Sequence, residues 1–340
     1  MADTLRAAVV GVGAMGRNHA RIWQSLPDVD LVALVDPNAA AAERVSRLHG
    51  GRVYADVAAM VADVRPDLVS VAVPTQDHFE IVSALLTAGC HVLVEKPIAA
   101  TLDEASALVA LAEAQGRVLM VGHVERFNPA ITELKRRLDG GEAGRVFQIR
   151  ARRMGPFPAR IRDVGVVIDL ATHDLDIMRY LTGSEAVRVY AEARREVHTA
   201  CEDMLSGMVR FKDDTLGVLE INWLTPTKIR ELCVTGERGM FQVDYITQDL
   251  FFFENAEARP AAASLRTEWH ELSVLRGVSE GAMTRFAFQK VEPLRAELEA
   301  FVAGVRGDSS GVVHGLDGRA ALQLAMALAE SAQQRQVITL

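Results

Sequence analysis

Along the first third of the chain, short aliphatic runs alternate with stretches whose apolar positions recur every three or four residues. Residues 7–10, 31–35, 68–73, 92–94 and 118–121 are almost wholly apolar and rich in β-branched side chains. Runs of that kind predict strands buried on both faces of a parallel sheet. Between them, residues 15–25, 39–48, 76–88 and 102–115 carry the helical period. Thr101 and Glu104 stand at the head of the last stretch with the spacing of a capping box, in which each side chain bonds the other residue's backbone N–H. The alternation predicts right-handed βαβ units and a doubly wound sheet.

After Gly122 the texture changes. From Val146 onward apolar and polar residues alternate with period two, as in Leu219, Ile221 and Trp223 against Val218, Glu220 and Asn222. Residues 212–215 and 236–239 read as hairpin turns between such runs. This predicts an α+β domain with a large, mostly antiparallel open sheet, one face on a core and the other open or covered by a partner. A helical stretch over 166–181 interrupts the sheet and stops at Gly183, and two more helices close the chain over 293–305 and 316–334. The division falls near Gly122 and His123, giving domains 1–122 and 123–340.

The length of 340 residues agrees with two domains of ~150 residues. With 49% hydrophobic and 24% charged residues the chain has ordinary globular composition, which argues against disorder and coiled coil. A net charge of −8 argues against a surface that wraps nucleic acid. No uncharged apolar run reaches the ~18 residues of a membrane span, and the glycine-punctuated stretch 7–15 has no cleavage site after it. Cys90, Cys201 and Cys233 form no CxxC pair, so neither a disulfide framework nor a thiolate metal site is expected. A cytoplasmic protein without a structural metal is the working class.

The first chemical motif is Gly11-Val-Gly13-Ala14-Met15-Gly16, between the first predicted strand and helix. Its glycines allow a tight turn, close approach of the backbone to a pyrophosphate and close helix–strand packing, and the helix N-terminus supplies N–H groups. Asp36 ends the second strand 20 residues beyond Gly16, the spacing of a carboxylate that bonds ribose hydroxyls. A carboxylate there repels a 2′-phosphate, which favours NAD over NADP unless Arg17 or Arg44 compensates. Pro74, Thr75 and His78 follow the third long strand, and Glu95-Lys96-Pro97 follows the fourth. Ligands in such sheets bind beyond the strand C-termini, so Lys96 is either beside the cofactor or a solvated surface charge. Asp169 and His173, four apart, share a helix face that Asp176 continues. An imidazole oriented by a carboxylate suits general-base work, although a solvated pair or a metal site has the same spacing.

Taken in order, Gly11-x-Gly13-x-x-Gly16, Asp36, Pro74-Thr75-x-x-His78, Glu95-Lys96-Pro97, Gly122-His123, Arg126-x-Asn128-Pro129 and Asp169-x-x-x-His173 resemble the Gfo/Idh/MocA family of nicotinamide-dependent sugar dehydrogenases. The resemblance implies a Rossmann domain and a mixed α/β domain whose open sheet forms homodimer or homotetramer contacts. It implies that Lys96 hydrogen-bonds the reacting hydroxyl, His173 takes its proton and Asp169 orients the group. It adds Ala14, Met15, Pro74, Thr75, His78 and Glu95 to the cofactor site and Arg126 and Asn128 to the substrate site, with a cis bond before Pro97. Within the family, residues 121–129 and 155–169 look like members that oxidise UDP-N-acetylglucosamine at carbon 3.

One feature of the residues agrees with a nucleotide sugar. Between 145 and 165, Arg145, Arg150, Arg152, Arg153, Arg160 and Arg162 stand against the single acid Asp163, a local charge of +5. Guanidinium forks suit a diphosphate, and Arg160 and Arg162 lie nearest Asp169 in sequence. Solvated or interface arginines have the same composition. Oxidation of inositol or another neutral sugar is the alternative activity, and a non-catalytic nucleotide-binding regulator is the alternative of another class.

Overall fold

In a computed structural model of the chain, the structure describes residues 4–158, 165–197, 200–256 and 279–340. Two compact units emerge: residues 1–127 with 291–326, and residues 128–290 with 327–340.

The first unit is built from β1 (Leu5–Val10), α1 (Ala14–Ser25), β2 (Val29–Val35), α2 (Ala39–His49), β3 (Arg52–Tyr54), α3 (Val57–Val64), β4 (Leu68–Val71), α4 (His78–Thr87), β5 (His91–Glu95), α5 (Leu102–Gln115) and β6 (Leu119–Gly122). Its six strands are all parallel in the order β3-β2-β1-β4-β5-β6, the arrangement of a doubly wound nucleotide-binding sheet. The strands after β1 and β4 run outward in opposite directions, and that reversal opens a crevice beyond their C-terminal ends. The capping box forms as expected: Thr101 Oγ1 accepts from the Glu104 N–H at 3.2 Å, and Glu104 accepts from the Thr101 N–H at 3.0 Å. The patterning did not announce β3 and α3, which are short; α3 begins at an Asp56 cap.

The second unit comprises α6 (Pro129–Asp139), β7 (Val146–Pro156), α7 (Thr172–Thr182), β8 (Ala186–Arg194), β9 (Met204–Phe211), β10 (Leu216–Asn222), β11 (Leu224–Gly236), β12 (Gly239–Asp244), β13 (Asp249–Ala256), β14 (Ser279–Arg285) and, at the end of the chain, β15 (Ile338–Thr339). The nine strands order as β14-β13-β12-β11-β7-β10-β9-β8-β15, antiparallel except for β7 with β10. Both anticipated hairpin turns are present, joining β9 to β10 and β11 to β12. Ile149, Ala151, Leu205, Val209, Leu219 and Ile221 face inward and are buried. The opposite face is open and mixed in character, with exposed Met208 beside a ladder in which Arg152 pairs with Glu220 and Glu231.

The last helices divide differently from the sequence expectation, which put everything after 122 in the second domain. In the structure, α8 (Pro293–Val305) packs in the first unit, where Leu298 and Phe301 are fully buried in the core around Trp23 and Ala20. Phe301 and Trp23 lie 6.3 Å apart between ring centroids. The backbone continues this attachment, since the Val121 N–H donates to the Val313 carbonyl at 2.9 Å. The long α9 (Gly315–Gln334) starts in the first unit and ends in the second. A helical period shows only that a face is apolar; it does not show which core that face joins.

On the buried side of α8 sits Glu297, fully buried, with neither carboxyl oxygen hydrogen-bonded to a described residue. Burial, and then the negative charge of Glu95, push this carboxyl well above the usual carboxylate range. The folded chain therefore keeps a proton that the unfolded chain releases above the ordinary Glu range, and stability falls as pH rises through that interval. Glu297→Gln removes this slope. Thermal unfolding should show the variant gaining on the parent as pH is raised from 5 to 8, by up to ~1.4 kcal/mol per pH unit. Parallel pH curves for the two proteins would contradict the assignment.

Candidate functional site

The turn between β1 and α1 makes a nucleotide cradle. Gly11 has φ +85°, and a Cβ there would meet the Ala72 carbonyl oxygen at 2.6 Å. At Gly16 a Cβ would lie 1.7 Å from the Gly11 oxygen, so α1 closes on the turn only with glycine present. Gly13 is different: nothing lies within 4 Å of its Cβ position, and it opens on a cavity of about 1030 Å³. Gly13 is also the N-cap of α1, and no side chain caps the helix and no acid stands in its first turn. The first-turn N–H groups of Ala14, Met15 and Gly16 are thus left for an anion such as a pyrophosphate.

Asp36 lines the same cavity with its carboxylate held at both oxygens. Oδ2 accepts from the Val12 N–H and Oδ1 from the Asn38 N–H, each at 2.9 Å. The side chain is thereby pinned where ribose hydroxyls would reach it. Among the described residues lining the cavity, Asp36, Asp56, Asp77 and Glu80 are acidic and none is basic. Neither Arg17 nor Arg44 lines it, so nothing there offsets the repulsion of a 2′-phosphate. The apolar remainder, including Val57, Val61 and Ile81, suits the flat face of an adenine. These features fit NAD.

Gly11, Gly13, Asp36 and Pro74 of the anticipated cofactor set line the cavity, whereas Ala14, Met15, Gly16, Thr75, His78, Glu95 and Lys96 do not. His78 is buried beneath two loops, with Nδ1 2.9 Å from the Pro97 carbonyl and Nε2 3.1 Å from the Val73 carbonyl. Burial pushes this imidazole below its ordinary range, against the carbonyls that favour its protonation. A neutral ring has one N–H, so it donates to one carbonyl at a time and staples the loop after β4 to the loop after β5. The Lys96–Pro97 bond in that second loop is cis, as anticipated. Glu95 turns its carboxylate inward, accepting from His19 Nε2 at 3.0 Å.

In the second unit, Asp169 lies in a π-helical turn, Val167–Ala171, that runs directly into α7. Asp169 and His173 are both half-buried among residues that are mostly buried, whereas Asp176, expected to continue their face, is buried. The start of this helix is tied down by Glu202, whose backbone carbonyl accepts from the Val166 N–H at 3.0 Å and whose carboxylate accepts from the Val167 N–H at 3.3 Å. From below, the helix is anchored by a bidentate ion pair: Arg153 Nε and Nη2 donate to Asp174 at 2.7 and 3.1 Å, both side chains buried. The Arg153 guanidinium also lies 5.2 Å from the Tyr245 ring.

That pairing corrects the reading of the arginine cluster. Arg153 belongs to the core, Arg152 to the Glu220 and Glu231 ladder, and Arg145 reaches Glu237 at 3.5 Å. Arg150 is exposed, and Arg160 and Arg162 lie outside the described residues. The charge count is right, but the fold brings acids that are distant in sequence onto three of the six. Asn128 is corrected as well. It is buried, its Oδ1 accepts from the Ala130 N–H as the cap of α6, and its Nδ2 donates to the Tyr245 carbonyl at 3.1 Å. Arg126 makes an ion pair with Asp317 at 3.4 Å. Among the described residues no group of three or more His, Cys, Asp or Glu is placed to hold a metal ion, and no helix is long and apolar enough to cross a membrane.

Sequence reasoning passed over His19, Ser70, Glu202 and Glu297. Only His19 carried a signal: it stands four residues before Trp23, on the apolar side of α1.

Comparison with known proteins agrees with this architecture. Residues 5–123 match the family model of an oxidoreductase family with an NAD-binding Rossmann fold, and residues 131–242 match the GFO/IDH/MocA C-terminal domain. The chain is 30% identical over 323 residues to UDP-N-acetylglucosamine 3-dehydrogenase of Acidithiobacillus ferrooxidans, covering 95% of each. It is 33% identical over 344 residues to myo-inositol dehydrogenase Hyg17 of Streptomyces leeuwenhoekii, covering 96% of this chain and 97% of the relative. The solved structure of the A. ferrooxidans enzyme matches with a TM-score of 0.83 at 27% identity, over 97% of this chain and 98% of that one.

Asp36→Ser removes the charge and the double acceptor from the cavity. Titration of cofactor binding should show NAD weakened ~10-fold or more, with the preference over NADP narrowed or reversed. An unchanged NAD-to-NADP ratio would show that Asp36 does not set it.

Proposed function

The chain belongs to the GFO/IDH/MocA oxidoreductase family, and we propose that within it the protein oxidises the C3 hydroxyl of UDP-N-acetylglucosamine to a ketone. The coarser activity, NAD-dependent oxidation of a sugar hydroxyl, comes with the family. The finer reading rests on one observation: the likeness to a UDP-N-acetylglucosamine 3-dehydrogenase runs through 95% of the chain and not merely through its cofactor domain. A second reading, oxidation of an inositol, is favoured by an equally extensive match to a myo-inositol dehydrogenase. The arginines separate the two less sharply than composition alone suggests, because Arg145, Arg152 and Arg153 already have carboxylate partners. A diphosphate clamp falls to Arg160 and Arg162, since Arg150 alternates with the inward Ile149 and Ala151 onto the sheet face away from α7.

In this reading bound NAD supplies the hydride acceptor, and the chain handles position and proton. Lys96 donates a hydrogen bond to the reacting hydroxyl oxygen and stabilises negative charge as it develops. His173 takes the hydroxyl proton, and Asp169, one helical turn away, orients its ring. Asp174, next to His173 in sequence, ties α7 to Arg153 and so limits how far the base drifts. The open face of the nine-stranded sheet, with exposed Met208, supports assembly into a homodimer or homotetramer.

Purified protein with NAD should form NADH from UDP-N-acetylglucosamine and from neither myo-inositol nor free glucose. Lys96→Ala should lower that rate ~10²–10⁴-fold. Turnover of myo-inositol alone would select the second reading, and a Lys96→Ala rate near that of the parent would overturn the role of Lys96.

A further inference from the structure

Beneath the Glu95-Lys96-Pro97 loop, the first unit holds a string of polar groups that runs from the core to the partly exposed Glu95 carboxylate. Trp23 and His19 come from α1 and Ser70 from β4, all fully buried, and Glu95 ends β5. Trp23 Nε1 is 2.9 Å from Ser70 Oγ, Ser70 Oγ is 3.0 Å from His19 Nδ1, and His19 Nε2 is 3.0 Å from Glu95 Oε1. An indole N–H only donates and a carboxylate only accepts, so the string has a direction. Trp23 donates to Ser70, the Ser70 hydroxyl donates to Nδ1, and Nε2–H donates to Glu95; each group is then satisfied.

The far end of the string bears on Lys96. The Glu95 carboxylate also accepts from the Lys96 backbone N–H and attracts the Lys96 charge. It packs over Gly122 on β6, where a Cβ would stand 3.1 Å from Glu95 Oε2. Burial disfavours the charged form, but the His19 hydrogen bond and the positive charge nearby outweigh it and hold Glu95 below the usual carboxylate range. Glu297 faces the same carboxylate from α8 and is kept protonated by burial and by Glu95 itself. One charged and one neutral acid thus share the space behind the loop.

We propose that His19 is a positioning residue for the oxidation: clamped between Ser70 and Glu95, it fixes the carboxylate that seats Lys96. The inference rests on the reading that Lys96 acts on the substrate hydroxyl. It concerns the step after binding, because neither His19 nor Glu95 lines the cofactor cavity.

The test measures steady-state kinetics with whichever of UDP-N-acetylglucosamine and myo-inositol the parent oxidises, together with NAD binding. His19→Leu removes both bonds. It should lower kcat ~10–100-fold while the NAD dissociation constant stays within about threefold. His19→Gln places an amide N–H near the lost Nε2 and should recover most of the loss. His19→Asn is too short to reach Glu95 and should not. A His19→Leu kcat within twofold of the parent, or equal rates for Gln and Asn, would overturn the proposal. If His19→Leu fails to fold, Glu95→Gln carries the test, since it keeps the shape and removes the charge: a loss of ~10-fold or more is expected, and a parental rate overturns the inference. Lys96→Ala serves as reference. Parental activity in that variant would condemn the role of Lys96, whereas its loss alongside an active His19→Leu would condemn only the inference about His19.

Discussion

A charge withdrawn from water at the end of β5 sets much of the architecture of the first unit. The idealised cost of burying a bare carboxylate is of order 20 kcal/mol, and several kcal/mol remain after relaxation, so Glu95 persists as an anion only with donors and positive charge aimed at it. His19 supplies one donor, the Lys96 backbone another, and the Lys96 charge lies beside them. Gly122 leaves room for the carboxylate on the neighbouring strand. Glu297 stays protonated because a second anion there would have no such partners. Ser70 and Trp23 extend the arrangement into the core, so the loop bearing Lys96 is tied to the same helix that begins at the glycine turn.

The second unit repeats the principle with different groups. The Arg153 and Asp174 pair is fully desolvated, and its bidentate geometry with the Tyr245 ring at its back is what makes such a pair tolerable. The pair holds α7 against β7, while Glu202 satisfies N–H groups at the π-helical start. Asp169 and His173 stand on a segment anchored at its head and beneath. In both units the anticipated reactive residues are half-buried, and more deeply buried charges next to them in sequence, Glu95 beside Lys96 and Asp174 beside His173, tie their segments to the core.

Much of this was legible in the residues, for identifiable reasons. The glycine turn, Asp36 and the parallel strands are local signals: contiguous residues, short spacings and a fixed backbone geometry. The period-two runs after residue 146 marked the mixed sheet, and its hairpin turns fell where the patterning placed them. What patterning could not carry was pairing between distant segments. Arg152 and Glu231 meet only because β7 and β11 are neighbours, and Arg153 meets Asp174 only because α7 packs on β7, so a local charge of +5 overstates what is left for a ligand. Asn128 looked like a ligand contact because a helix cap and a binding residue use the same chemistry. His78 looked like a cofactor contact because it follows a strand end, and packing turned it under the loops. The attachment of α8 to the first unit was hidden for the same reason, since an apolar stripe does not name its partner.

The most direct test of the account follows the hydrogen itself. UDP-N-acetylglucosamine carrying deuterium at carbon 3 should be oxidised with a primary isotope effect, and the label should appear in the reduced cofactor at the nicotinamide ring. Reduced cofactor formed without label, or at the same rate from labelled and unlabelled sugar with another carbon giving up its hydrogen, would contradict the assignment of carbon 3.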